Sequence, residues 1–169
     1  GALTMRVLFY VQHLLGIGHL RRAATLVRAL DAAGLEVCLV SGGSVVPGLE
    51  IGAAKFVQLP PVRAVDLYFK ALVDEHDQPI DDAWKARRAE ALLQVWRDFD
   101  PHALLFELFP FGRRQMRFEL LPLLEAAKNS PRDPLIASSV RDILVGQNKP
   151  GRNDEMLALV EQYFDHVLI

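Results

Sequence analysis

Two histidines bracketing a glycine-containing turn, His13-Leu14-Leu15-Gly16-Ile17-Gly18-His19, form the stretch of this sequence best suited to chemistry. An imidazole changes charge near neutral pH and can therefore take a proton from a reacting group. His19 is the only titratable side chain in its glycine pocket, which makes it the first residue to substitute. His13 sits just past an apolar run, where it either lines a cleft or is simply solvated. Gly16 and Gly18 are expected to let the backbone tighten and to leave N–H groups exposed at the positive end of a following helix, a setting that suits a phosphate or another anion.

The elements on either side must place this turn. Val7 to Val11 is an unbroken apolar run, the pattern of a strand covered on both faces. After the turn, Leu20, Ala23, Val27 and Leu30 recur at helical spacing, and Gly34 supplies a left-handed stop. Leu35 to Val40 reads as a second strand entering the loop Ser41-Gly42-Gly43-Ser44, and Lys55 to Leu59 as a third, ended by Pro60-Pro61. Residues 62–82 read as a long irregular connection, assigned to substrate contact. Asp82 is the expected cap of a helix bearing Trp84, Ala91, Leu92, Val95, Trp96 and Phe99, which Asp100-Pro101 closes. Ala103 to Phe106 is a fourth strand ending at Glu107. Arg113 to Lys128 is helical in composition, with a kink or restart expected at Pro122. Leu135 to Val140 is a fifth strand with Arg141-Asp142 just past it, Asn153 or Asp154 starts a helix, and His166 to Ile169 begins another strand. This alternation predicts an α/β fold, a doubly wound, mostly parallel sheet with right-handed crossovers.

The chain has 169 residues, of which 51% are hydrophobic and 24% charged, with a net charge of -2. These values describe a globular protein with one core and make nucleic acid an unexpected partner. The single cysteine, Cys38, excludes a disulfide framework or a multi-cysteine metal site and fits a cytoplasmic setting, with peripheral membrane contact left open. No run reaches the roughly 20 apolar residues of a membrane span, and no signal-peptide pattern begins the chain. Gly1 to Thr4, ahead of Met5, read as a remnant or disordered N-terminus outside the fold. Residues 5–169 then form one Rossmann-like domain, and a last strand without a following loop suggests truncation before a second domain.

With Gly16-Ile17-Gly18-His19 placed at the first strand-to-helix turn, the sequence resembles the N-terminal domain of glycosyltransferases of the B fold, above all family 28, which includes the peptidoglycan N-acetylglucosaminyltransferase. That resemblance implies two Rossmann-like domains facing a cleft, an acceptor-binding N-terminal one and a C-terminal one holding a nucleoside-diphosphate sugar, expected to be a UDP-sugar. It implies no cofactor and no essential metal, and an acceptor that is a small molecule or lipid-linked. In the similar UDP-glycosyltransferases a histidine at this turn is the base, oriented by an acidic residue at the end of the fourth strand. The matching positions are His19 and Glu107, where those relatives usually carry aspartate. The segment Ser138-Ser139-Val140-Arg141-Asp142 resembles one that faces the cleft, so Ser139, Arg141 and Asp142 join Gly16, Gly18 and His13 as candidates to line it or to meet the donor diphosphate.

Each assignment has a plainer counterpart. His19 could merely hydrogen-bond its neighbours, and Glu107 could be a strand-end carboxylate facing water. His76, His102 and His166 lack metal-ligand spacing and read as surface or structural residues. Arg21, Arg22, Arg113, Arg114 and Arg117 could meet phosphate or anionic lipid, but solvated helix faces explain them more simply. Phe106, Phe109, Phe111, Trp84 and Trp96 read as core. A dinucleotide-binding oxidoreductase domain shares the strand, turn and helix. However, Arg21 stands where its third glycine belongs, and no acidic residue ends the second strand. A non-catalytic nucleotide- or partner-binding module is a third reading.

Overall fold

The structure is a computed structural model describing residues 4–68, 71–140 and 152–169. Strands β1 (Arg6–Val11), β2 (Glu36–Ser41), β3 (Lys55–Gln58), β6 (Ala103–Glu107), β7 (Leu135–Ser139) and β8 (His166–Leu168) form one sheet in the order β3-β2-β1-β6-β7-β8. Every pairing in it is parallel. Two short strands, β4 (Arg63–Ala64) and β5 (Leu72–Val73), pair antiparallel as a separate ribbon. Among the described residues, helices α1 (Gly18–Ala32), α2 (Asp82–Phe99), α3 (Arg117–Lys128) and α4 (Arg152–Tyr163) connect the strands. This is the doubly wound α/β fold that the alternation of elements predicts.

Strand alternation divides the core in two. Leu8 and Tyr10 of β1 join Cys38, Val40, Leu104 and Phe106 in a cluster closed by Leu92 of α2 and Leu120 and Leu124 of α3. Phe9 and Val11 point the other way and pack with Val37, Leu39 and the α1 stripe Leu20, Ala23 and Val27. Both central strands are thus covered on two faces, as their unbroken apolar runs require.

Several expectations are corrected at element ends. The cap of α2 is Asp81, whose carboxylate accepts from the Trp84 N–H at 2.8 Å, leaving Asp82 in the first turn. Helix α3 runs through Pro122 without a restart, after a 3₁₀ turn over Arg114–Met116. Residues 62–82 are not wholly irregular, because they carry the ribbon. Its base is tied to the sheet by the Val62 N–H donating to the Gly42 carbonyl at 3.0 Å and the Ala64 N–H to that of Leu14 at 2.9 Å. Gly34 ends α1 with φ +90°, the left-handed stop its position predicts.

The order of strands fixes where a ligand belongs. From β1 the chain winds outward through β2 and β3, then returns to lay β6 on the other side of β1. The switch point therefore lies between β1 and β6, and ligands of such sheets bind beyond the carboxyl ends of the strands there.

Candidate active site at the β1–β6 switch point

His19 and Glu107 meet across this switch point. His19 is in the first turn of α1, the helix that leaves β1, and Glu107 is the last residue of β6. The His19 Nδ1 lies 3.3 Å from Glu107 Oε1, with the imidazole 40% exposed and the carboxylate 2% exposed. The ring thus carries its buried side to a carboxylate. In the tautomer with hydrogen on Nδ1, the Nε2 is left as the proton acceptor.

The first turn of α1 has no side-chain cap, with Ile17 at the N-cap position. Neither Gly16 nor Gly18 has a positive φ, and a Cβ at either would meet no heavy atom within 4 Å. These glycines are therefore not needed for a tight turn, contrary to the expectation from sequence. What they leave is open space beside the helix N-terminus, where N–H groups favour an anion.

Two other predicted cleft residues are placed differently. His13 is 3% exposed, and its ring is packed so closely on Gly43 that a Cβ there would lie 2.3 Å from it. It is neither solvated nor lining an open cleft, and among the described residues its ring nitrogens have no hydrogen-bond partner. Burial first, and then the charges of Arg113 and His19, hold the His13 imidazole below its ordinary pKa. Ser139 is likewise buried, its Oγ accepting from Arg22 Nη1 at 2.8 Å. Arg141 and Asp142 lie outside the described residues.

A neutral, unpartnered imidazole in the core makes stability depend on pH. Below about 6.5, the ordinary histidine value, the unfolded chain takes up a proton that native His13 resists, so this component of stability is lost as pH falls towards the depressed native value. We expect the urea midpoint to drop between pH 7.5 and 5.5, and His13→Leu to flatten that slope. Equal slopes in both proteins would show that His13 does not contribute.

The residue that sequence reasoning passed over is Arg22. Its Nη1 donates to Glu107 Oε2 at 2.7 Å, so the guanidinium lies against the site and not on a solvated helix face. Its spacing of three from His19 is the one available signal, since it puts both on one side of α1.

Beneath the turn lies a second group that sequence alone did not assemble. Arg88 of α2 and Glu119 of α3 are fully buried and paired, with Nε to Oε2 at 2.9 Å. The Tyr10 hydroxyl donates to Glu119 Oε1 at 2.5 Å, and Arg88 Nη2 donates to Gln12 Oε1 at 2.5 Å. Gln12 in turn donates to the carbonyls of His13 at 2.8 Å and Val62 at 3.0 Å. Burial and the Glu119 charge push the Tyr10 hydroxyl above its ordinary pKa, which keeps it a donor. Burial also raises the Glu119 carboxyl, against the pull of Arg88. Gly42 is required here for space, because a Cβ would stand 1.8 Å from Arg88 Nη2. The network joins both helices and the ribbon base to the strand end that carries the His13–His19 turn.

Phe106, Phe109, Trp84 and Trp96 pack in the core as expected, whereas Phe111 is half-buried and belongs to neither core cluster. Phe106 and Phe109 are buried and pack on Phe164, with ring centroids 5.8 and 6.4 Å away. Trp84 is buried, with the Arg88 guanidinium 5.4 Å from its ring centre. His102 is structural, its Nδ1 accepting from the Arg6 N–H at 2.9 Å. At the ribbon, a shallow depression of about 200 Å³ is lined by residues including Ser44, Val45, Arg63 and Glu75. That volume is below the ~300 Å³ lower end of small-molecule sites, so it is no complete ligand pocket by itself.

Neither a protein-family model nor a curated protein matches this sequence. Solved structures do. A glycosyltransferase from Rickettsia africae ESF-5 aligns with a TM-score of 0.54 at 14% identity, over 98% of this chain and 42% of that one. MurG of Acinetobacter baumannii gives 0.53 at 10% identity, over 96% of this chain and 40% of that one. CalG4, the calicheamicin glycosyltransferase, gives 0.50 at 13% identity, over 95% and 43%. The chain has the Rossmann-like α/β fold found within these glycosyltransferases, and it spans about two-fifths of their length. Among the described residues, no helix is long and apolar enough to cross a membrane.

Proposed function

We propose that this chain is the acceptor-side, N-terminal half of a B-fold glycosyltransferase, in which a hexosyl group passes from a nucleoside-diphosphate sugar to an acceptor hydroxyl. The observation that carries this reading is the His19–Glu107 pair at the switch point, a half-exposed imidazole backed by a buried carboxylate. Its support from the fold is the likeness to glycosyltransferase structures.

In this mechanism His19 Nε2 accepts the proton of the acceptor hydroxyl as its oxygen bonds to the anomeric carbon. The bond from that carbon to the diphosphate oxygen breaks, and the nucleoside diphosphate leaves with the electron pair. Glu107 Oε1, facing Nδ1–H, fixes the tautomer and favours the imidazolium as it forms. The uncapped first turn of α1 and the space left by Gly16 and Gly18 face the departing anion. A second domain holds most of the donor, and the ribbon, with Leu67 and Tyr68 exposed, contacts the acceptor.

Release of nucleoside diphosphate by the full-length protein, assayed with UDP-hexoses against a panel of hydroxyl acceptors, tests the reading. Acceptor-dependent release is expected, and residues 1–169 alone should give none. Saturable binding of a nicotinamide dinucleotide with no sugar transfer would replace this reading with the oxidoreductase one.

A further inference from the structure

His19 and Arg22 project from one side of α1 to the same carboxylate. Arg22 Nη1 takes Glu107 Oε2 at 2.7 Å, and His19 Nδ1 faces the other oxygen at 3.3 Å. The same Nη1 donates to Ser139 Oγ at 2.8 Å, and Nη2 donates to the Val140 carbonyl at 3.3 Å. The guanidinium is thereby fixed by the ends of β6 and β7. We propose that Arg22 is a positioning residue for the His19–Glu107 pair, holding the buried carboxylate by one oxygen so that the other addresses the imidazole. This rests on the glycosyltransferase reading above.

The physical reason is that a carboxylate whose one oxygen is taken by a fixed donor can offer the other in only one direction. Freed of that donor it can turn, and it then no longer dictates which ring nitrogen of its histidine partner carries hydrogen. Arg22 gives one nitrogen to Glu107 while the same guanidinium is held on Ser139 and the Val140 carbonyl, which fixes the direction of its grip as a planar fork can and an ammonium cannot. The same cation also offsets part of the carboxylate's attraction for an imidazolium. Arg22 therefore trades basicity of His19 for orientation. Among the described residues, the other ionisable groups acting on the pair are His13, two residues past β1, which interacts with His19, and Arg113, which interacts with Glu107. Neither touches the Glu107 oxygens within hydrogen-bonding distance.

Arg22→Gln in the full-length protein should lower turnover by roughly 10- to 100-fold through misorientation. The acid limb of its kcat/KM profile should move to higher pH, because the unshared carboxylate holds the imidazolium proton more tightly. Arg22→Lys, which restores the charge without the fork, should return the limb towards its original position while turnover stays low. Nitrogen spectra of the same protein labelled at histidine give a readout free of activity. The neutral His19 should carry its hydrogen on Nδ1 in the parent and show mixed tautomers in Arg22→Gln. A parent-like limb, turnover and tautomer in that variant would overturn the role of Arg22 even if His19→Ala is inactive. If His19→Ala is instead fully active, the base assignment fails, and the tautomer alone decides whether Arg22 positions the pair.

Discussion

Replacing His19 with alanine in the full-length enzyme is expected to lower kcat by ~10²–10⁴-fold, the usual contribution of a positioned general base. The effect should fall on kcat with little change in KM, because the acceptor proton moves only as the transition state forms. Fold stability should hardly change, since the side chain is 40% exposed and the carboxylate it faces, Glu107, is also held by Arg22. Glu107→Gln is expected to cost less than His19→Ala. An amide keeps a carbonyl oxygen near Nδ1 but loses the charge that favours the imidazolium. Steady-state kinetics of the two variants, with circular dichroism to confirm folding, provide the check. A loss of less than tenfold for His19→Ala would remove it from the mechanism.

The sequence pointed to that pair because both residues sit at chain positions defined by local pattern. His19 follows a glycine-containing turn between an apolar strand and an amphipathic helix, and Glu107 ends an apolar run. Period and punctuation are local signals, and they placed the main strands to within a residue or two: β2 is Glu36–Ser41 against an expected Leu35 to Val40. Arg22 was not legible in that way. Its partners Glu107 and Ser139 lie 85 and 117 residues away, and only a spacing of three from His19 distinguishes it from Arg21 beside it. His13 misled for the related reason that burial at a strand end depends on the loop folded over it, here at Gly43. The ribbon escaped because its strands are two residues each, too short to express a period of two. Pro122 removes an N–H and crowds the preceding turn, yet it sits in a helix whose Leu120, Leu123 and Leu124 are buried, so tertiary packing overrode the breaker.

The buried pair beneath the turn carries the second large expected effect. Removing one partner, as in Glu119→Leu or Arg88→Met, should cost about 3–5 kcal/mol, because it strands a desolvated charge. Glu119→Leu additionally leaves the Tyr10 hydroxyl without its acceptor, and Arg88→Met removes the donor that holds Gln12. The double replacement should be far less damaging than the sum of the two, since no unpaired ion remains and apolar side chains of similar volume can fill the site. Urea denaturation of the parent, both single variants and the double one at pH 7 yields the coupling energy directly. Additive losses, or single-variant losses under about 1 kcal/mol, would show that the pair is not acting as a buried ion pair. The double variant also separates stability from function. If it folds yet loses turnover, then Gln12, held by Arg88 and donating to the carbonyls of His13 and Val62, is the route by which α2 and α3 stiffen the turn that presents His19. If it folds and turns over normally, the network serves the core alone, and the position of His19 is set by α1, Glu107 and Arg22.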